Sequence, residues 1–437
     1  MVVSDLNPEQ EMTRLSDRTG AIIHTEEARI GLVGIGSMGR GLLYQSLLTP
    51  KTRMLAAAEL KLGPAIEFVK SLGVRHRVVD TQGALQDAVR AGELALCEDA
   101  RLVAEADGLN VFLESSSSVR EALAPTRSAL ETKKHLVLMN AELDLAFGPQ
   151  LLKLARANGV TYTSCDGDQP GVLARLIRQM EFWGFEIVLA GNIKGFLDID
   201  SNPTKIIPEA DKRDLSYHMC AAYTDGTKLC VEMAMMANAM NMRTDVPGMH
   251  GPRCADARDA LTLFDLEGLR AHGIPTVDYV LGAQPDGGVF VIGYHKHPYQ
   301  QKMLQYLKMG AGPYYCFTRP YHLCCVESME CILDAVAGKS LLQPDYGYKS
   351  NVFACAKKPL RAGETLDGLG GYCHRGLNEN CGEGLPDGLP SLLADGVKLT
   401  RDIAVGAAIK LSDVEIPEGR ADWELYLGYY QGAEVRR

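Results

Sequence analysis

A lysine bracketed by glycines is the first group in this chain whose setting suggests chemistry. Gly191-Asn192-Ile193-Lys194-Gly195-Phe196-Leu197-Asp198 follows the apolar stretch Glu186-Ile187-Val188-Leu189-Ala190. An ammonium in a partly closed cleft can protonate or polarise a carbonyl oxygen as hydride arrives. Asn192 and Asp198 stand beside it as polar partners. Three carboxylate pairs at i and i+2 add to it: Glu142/Asp144, Asp166/Asp168 and Asp198/Asp200. Each follows a strand-like run. Such a pair can ligate a divalent cation or shuttle a proton; it equally caps a helix or forms a turn. Asp166 and Asp168 are the metal candidates, with Mg or Mn as the ion. Asp168 and Asp198 are the acid–base candidates beside Lys194. Pro320-Tyr321-His322-Leu323 contributes an imidazole, and His322 reads either as an acid–base group or as a core or interface histidine.

Hydride chemistry needs a donor, and Gly34-Ile35-Gly36-Ser37-Met38-Gly39 is where one would bind. The glycine pattern lies between a strand-like run at 28–33 and a helical run at 40–48, the setting of a dinucleotide fingerprint. Gly34 permits the tight turn, Gly36 lets backbone approach a pyrophosphate, and Gly39 lets helix and strand pack closely. Ser37 and Met38 complete the loop, whose helix-start N–H groups face the phosphates. Glu59 ends a second strand 25 residues after Gly34, where a carboxylate binds ribose hydroxyls and repels a 2′-phosphate. That favours NAD; Lys61 offsets the repulsion and keeps NADP open. Glu114 and Ser115–Ser118 close the next strand, where Ser115 and Ser116 suit the nicotinamide ribose or carboxamide. Asn140 closes the strand after that.

Stepping outward, the spacing predicts strands at 54–59, 108–114, 135–140 and 160–164, with helices at 119–132 and 147–158. This alternation indicates βαβ units on a parallel sheet. The expected fold class is α/β: a Rossmann-type domain over 20–165, a mixed α+β substrate domain over 166–345, and a small β unit over 350–420. A helix near 321–337 is expected to return to the first domain. In the last unit, 358–366 nearly repeats as 401–409, suggesting a pseudo-symmetric pair of hairpin-like segments.

The chain has 437 residues and a net charge of −10, which leaves no basic surplus for nucleic acid. Residues 1–20 are polar and lack the pattern of a signal peptide, reading as a frayed arm or a helix packed on a partner subunit. No run of about 18 apolar residues suggests a membrane span. The twelve cysteines include no C-x-x-C and read as reduced thiols of a cytoplasmic protein. The methionines at 233–242 read as core, Asp225-Gly226 as a turn and His295–His297 as a solvated hairpin tip.

Taken together, Gly34–Gly39, Leu136–Asp144, Asp166-Gly167-Asp168-Gln169-Pro170-Gly171, Gly191–Gly195, Pro320–Cys324 and Gly368–Tyr372 resemble the homoserine-dehydrogenase-like oxidoreductases that carry a C-terminal SAF domain. Where that family usually has a catalytic lysine, this chain reads Met139-Asn140-Ala141-Glu142, so Lys194 is expected to supply the cation. In length and architecture the chain is similar to the group that converts 1-deoxy-D-xylulose 5-phosphate to 2-C-methyl-D-erythritol 4-phosphate. That resemblance implies NADPH, a divalent cation, and a small phosphorylated or polyhydroxylated substrate. Glu142, Asn192, Lys205, Arg319 and Tyr321 are the substrate-binding candidates, and a homo-oligomer is the expected assembly. A sugar-acid, polyol or homoserine-like dehydrogenase and a non-catalytic nucleotide sensor are the other readings.

Overall fold

A computed structural model describes residues 26–213 and 215–431. The polar segment 1–20 lies outside the described residues. Seven parallel strands form the first sheet: β1 Ala28–Val33, β2 Thr52–Ala58, β3 His76–Val78, β4 Leu94–Cys97, β5 Val111–Glu114, β6 His135–Leu138 and β7 Tyr162–Ser164. Their order is β3-β4-β2-β1-β5-β6-β7. β4 and β5 are buried at every residue, as expected of strands covered on both faces. The chain runs from β1 toward one edge and returns beside β1 with β5, so the strand order reverses there. Ligands of such sheets bind beyond the strand ends at that switch.

β3, largely exposed, and β4 have no counterpart in the sequence reading. Two helices lead from this sheet toward the site: α1 Ser37–Leu48 and α2 Ala141–Ala157. α2 starts at 141 rather than 147, because the Asn140 side chain caps it by accepting from Leu143 N at 3.0 Å. Gly148 and Pro149 in its middle had disguised its first turns.

The second sheet is mixed: β8 Glu186–Lys194, β9 Arg243–Thr244, β10 Thr276–Leu281, β11 Val289–Tyr294 and β12 Tyr314–Arg319, in the order β12-β11-β8-β10-β9. His295–His297 is not a hairpin tip; it follows β11, and His297 caps the helix Pro298–Tyr306. One face of the sheet carries α3 Gln169–Phe182 and α4 Thr227–Met240. Short helices over 257–271 cover the other through Ala260, Phe264, Leu266 and Leu269. α4 also packs on α2 and on the antiparallel pair β13 Ser350–Ala356 and β14 His374–Asn380. Residues 227–238 of α4 are all buried, so the helix has no solvent face. Any charged residue it carries must therefore have a buried partner.

α5 Cys324–Val336 returns to the first sheet and lies on α1. The approach is close enough that a side chain at Gly41 would meet Cys325 Cβ at 2.8 Å. In the C-terminal unit, β15 Lys398–Leu399 pairs with β16 Val414–Glu415. The two near-repeats do not fold as separate hairpins. They pair with each other, Leu360 N to Ile403 O at 2.9 Å and Ile403 N to Leu360 O at 3.0 Å. No described helix is long and apolar enough to cross a membrane.

Candidate active site

A cleft of about 770 Å³ is lined by the glycine loop and by Glu142, Asp168, Lys228 and Cys324. At its mouth each glycine has a separate steric reason. Gly34 has φ +87°, and a Cβ there would lie 2.7 Å from Ser116 N. A Cβ on Gly39 would fall on the carbonyl of Gly34, 2.9 Å from its carbon. A Cβ on Gly36 would meet no protein atom within 4 Å. The turn is thus closed on its protein side and open toward the cleft. α1 starts there with no side-chain cap and no acid in its first turn, so its N–H groups are free for an anion.

Glu59 Oε2 accepts from Ile35 N at 2.7 Å and Oε1 from Lys61 N at 3.2 Å. Its carboxylate therefore lies at the edge of the loop, where an adenosine ribose would come. Ser115 Oγ faces the carbonyl oxygens of Gly34 at 2.7 Å and Val33 at 3.0 Å, so its hydroxyl locks the turn. Ser116, Ser37, Met38 and Asn140 also line the cleft. Asn140 is committed as the α2 cap and donates from Nδ2 to Ser118 O at 3.0 Å. It shapes the Ser115–Ser118 loop more than it offers a free amide.

Beneath that loop Glu114 is fully buried, and its Oε2 has no hydrogen-bond partner. Burial pushes its carboxyl up to about 7, against the pull of hydrogen bonds from Ser116 and Asn140. A carboxyl raised in the fold stabilises it fully below its unfolded pKa, near 4.5, and that contribution disappears as pH rises through 7. At about 1.4 kcal/mol per pKa unit the linkage is worth roughly 3 kcal/mol. Unfolding free energy measured in urea is therefore expected to fall between pH 4.5 and pH 7, and Glu114→Gln to flatten that decline. An unchanged slope in the variant would refute the assignment. Asp144, up to about 6 through burial, tilts the profile in the same direction.

At the deep end the carboxylate pairs separate. Within α2, residues two apart point about 200° apart. Glu142 faces the cleft and meets Lys228 Nζ at 2.8 Å, while Asp144 faces the core against Ser164 and Tyr162. Asp168 lines the cleft and caps α3 through Gln169 N at 3.0 Å, while Asp166 is buried against Arg175. The Arg175 guanidinium holds the Asp166 carboxylate, and Asp166 does not line the cleft. Asp198 and Asp200 form a turn, with Asp198 Oδ1 accepting from Asp200 N at 3.1 Å. Asp198 does not line the cleft.

Lys194 ends β8 with its ammonium 4.0 Å from Glu232, one step behind the cleft wall. Asn192 is buried beside it, donating from Nδ2 to Glu232 Oε2 at 2.8 Å and Gln169 Oε1 at 3.0 Å, with Oδ1 unpartnered. His322 gives its Nδ1–H to the carbonyl of Gly287. Cys324 lines the cleft with Sγ 3.8 Å from Asp168 Oδ1. Burial, then the charges of Asp168 and Glu232, keep that thiol protonated. Three substrate candidates lie elsewhere. Lys205 is exposed 4.0 Å from Asp198, and Arg319 is held by Glu327 at 2.7 Å and stacks on exposed Tyr321 at 4.7 Å. Their charges and ring are spent on local partners.

Lys61, Arg101, Arg120 and Lys228 are the cations that line the cleft; Lys228, the one paired with Glu142, is not singled out by the sequence reading. Burial pulls its ammonium down, but Glu142, Tyr223, Asp168 and Glu232 together outweigh burial and hold it above the usual lysine value. Burial in turn raises Glu232, with Lys194 opposing. The available signal was Lys228 and Glu232 at i and i+4 on an otherwise apolar helix.

Residues 167–328, which carry this deep end, match the family model described as "Oxidoreductase DRL, catalytic domain". Over those residues the chain is similar to an oxidoreductase catalytic domain. A curated 1-deoxy-D-xylulose 5-phosphate reductoisomerase from Thermus thermophilus is 28% identical over 116 residues, 26% of this chain. The match spans 30% of that relative's length. Among solved structures, scyllo-inositol dehydrogenase from Lactobacillus casei has a TM-score of 0.42 at 11% identity, over 74% of this chain and 93% of that one. A biliverdin reductase from Synechocystis sp. PCC 6803, solved with biliverdin and NADP+, has a TM-score of 0.29 at 17% identity. It is matched over 49% of its own length and 40% of this chain.

The described donors do not suit the magnesium that the sequence resemblance implies. Mg²⁺ takes oxygen ligands in a near-octahedral shell. The group close enough to hold an ion is Asp168, His322 and Cys324, with one oxygen, one nitrogen and one sulfur.

Proposed function

We propose that this oxidoreductase is an NAD(P)H-dependent reductoisomerase that converts 1-deoxy-D-xylulose 5-phosphate to 2-C-methyl-D-erythritol 4-phosphate. The observation that carries the reading is the Lys228–Glu142 ion pair lining a cleft that also holds the dinucleotide loop, with a second ammonium–carboxylate pair, Lys194–Glu232, outside the cleft lining. The stretch similar to a reductoisomerase supports it. The rearrangement builds negative charge on the substrate oxygens, and fixed cations in a water-poor pocket are suited to hold it. Hydride then passes from the nicotinamide to the aldehyde carbon, and a proton to its oxygen. In this reading Lys228 and Glu142 meet the substrate, and Lys194 and Asn192 position Glu232 behind them. Gly36 and Ser37 take the pyrophosphate, and Ser116 borders the nicotinamide. Residues 350–420 form a SAF-like assembly unit of a cytoplasmic homo-oligomer.

Glu59 favours NADH, because its carboxylate occupies the ribose edge of the loop and repels a 2′-phosphate. The same residue is the observation behind a second reading, an NAD-dependent dehydrogenase of a sugar acid or polyol. Incubation of the full chain with 1-deoxy-D-xylulose 5-phosphate, NADPH or NADH, and Mg²⁺, Mn²⁺ or Zn²⁺ separates the two. Cofactor oxidation with formation of 2-C-methyl-D-erythritol 4-phosphate is expected. Folded, cofactor-binding protein that is inert toward this ketose yet reduces NAD+ with a sugar acid or polyol would move the assignment to the second.

A further inference from the structure

The ligand atoms of Asp168, His322 and Cys324 all lie within 4.8 Å of one another. Two elements bring them together: Asp168 caps the start of α3, and Cys324 opens α5 just after His322. A backbone carbonyl can only accept, so the contact with Gly287 O places the His322 proton on Nδ1. Nε2 is then left with its lone pair, and an Nδ1–H bond to a carbonyl is the usual tether of a metal-bound imidazole. Asp168 spends Oδ1 on Gln169 N and faces Cys324 at 3.8 Å. Cys324 and Asp168 line the cleft together with Glu142 and Lys228, so an ion held by the trio would face it.

We propose that Asp168, His322 and Cys324 form a three-ligand site for a borderline transition-metal dication, Zn²⁺ above all, with its fourth position open to the cleft. The inference rests on the cleft being the substrate site. A carboxylate, an imidazole and a thiol suit Zn²⁺ or Co²⁺, and three protein ligands with an open position are the pattern of catalytic rather than structural zinc. Tetrahedral ligation at about 2.0–2.3 Å separates ligand atoms by roughly 3.3–3.8 Å, so the trio closes by about an ångström on binding. As the metal–sulfur bond forms, the Cys324 S–H bond breaks and one proton per ion leaves to solvent. The dication reverses the local field that keeps the thiol protonated. Cys325 takes no part, since its side chain packs on Gly41.

Chelator-treated full-length protein titrated with Co²⁺ is expected to show a thiolate-to-cobalt charge-transfer band at one ion per chain. Zn²⁺ should abolish it, and a large excess of Mg²⁺ should leave it. Cys324→Ser should remove the band, and both it and His322→Gln should weaken Zn²⁺ by more than the ~10–100-fold that loss of a supporting hydrogen bond costs. Cys325→Ser should keep band and affinity, and dinucleotide fluorescence reports folding of each variant. No band in the parent protein, a band surviving Cys324→Ser, or displacement by Mg²⁺ would each overturn the site. If the cobalt signature forms but the ketose phosphate is not turned over, the reductoisomerase reading falls and the metal site stands. Turnover with Mg²⁺ and no cobalt signature gives the reverse.

Discussion

Lys228→Met is expected to lower kcat by about 10²–10⁴-fold while dinucleotide affinity stays within about twofold. Methionine keeps most of the lysine stem, so the change removes charge more than volume. Lys228 lies on a helix with no solvent face and lines the cleft on the side away from the glycine loop. Its ammonium is 2.8 Å from Glu142 and feels Asp168 and Glu232 as well, so it stays charged despite complete burial. Removing it strands Glu142, and a buried carboxylate without its partner costs about 3–5 kcal/mol. The single variant should therefore be less stable than Lys228→Met/Glu142→Gln, in which no charge is stranded. Steady-state kinetics, dinucleotide fluorescence and urea unfolding on the three proteins separate catalysis from folding. If the double variant recovers stability and turnover together, Lys228 is a structural ion-pair partner. If turnover stays lost while stability returns, the ammonium acts on the substrate. Lys194→Met is the comparison, and its effect should be smaller, because Lys194 reaches the cleft only through Glu232.

Those parts of the site that are local in sequence were legible before the fold was known. The glycine loop, its flanking strand and helix, and Glu59 at the next strand end lie within a few dozen residues, and each obeys a steric rule that spacing displays. The deep end was legible only in fragments. Asp168, Glu142 and His322 were marked by type, but spacing could not tell which member of each carboxylate pair faces inward. The local backbone decides that: Asn140 sets the phase of α2 so that Asp144 turns away from Glu142, while Asp166 precedes α3 and is held against Arg175. Lys228 and Glu232 were hidden for another reason. Their helix reads as methionine-rich core, and core it is; a charged pair inside such a helix becomes meaningful once the helix proves to be buried on every side. Lys205, Arg319 and Asp198 attracted attention by charge alone, and each is occupied by a neighbour close in sequence. Pairing of 358–366 with 401–409 through Leu360 and Ile403 is a long-range fact that a repeat suggests but cannot orient.

The glycine loop allows binding and folding to be pulled apart. Gly39→Ala places a methyl on the Gly34 carbonyl, where backbone rather than a flexible side chain must yield. Overpacking of this kind costs about 1–3 kcal/mol, and α1 must lift from the turn to relieve it. Both thermal stability and dinucleotide binding should fall. Gly36→Ala makes the opposite test. Its backbone, φ −74° and ψ −161°, suits any residue, and its added methyl meets no protein atom within 4 Å. Stability should be unchanged. The methyl occupies instead the face that a pyrophosphate must approach, so Kd for the dinucleotide is expected to rise by about 10–100-fold, or about 1.4–2.7 kcal/mol. Calorimetric titration with NADH and NADPH, beside thermal unfolding, reads both quantities. Wild-type affinity in Gly36→Ala would mean that the pyrophosphate does not lie over this loop, and the hydride donor would then have to enter the cleft from elsewhere. An affinity loss in Gly36→Ala with unchanged stability ties the donor to the glycine-loop part of the cleft that Lys228 also lines.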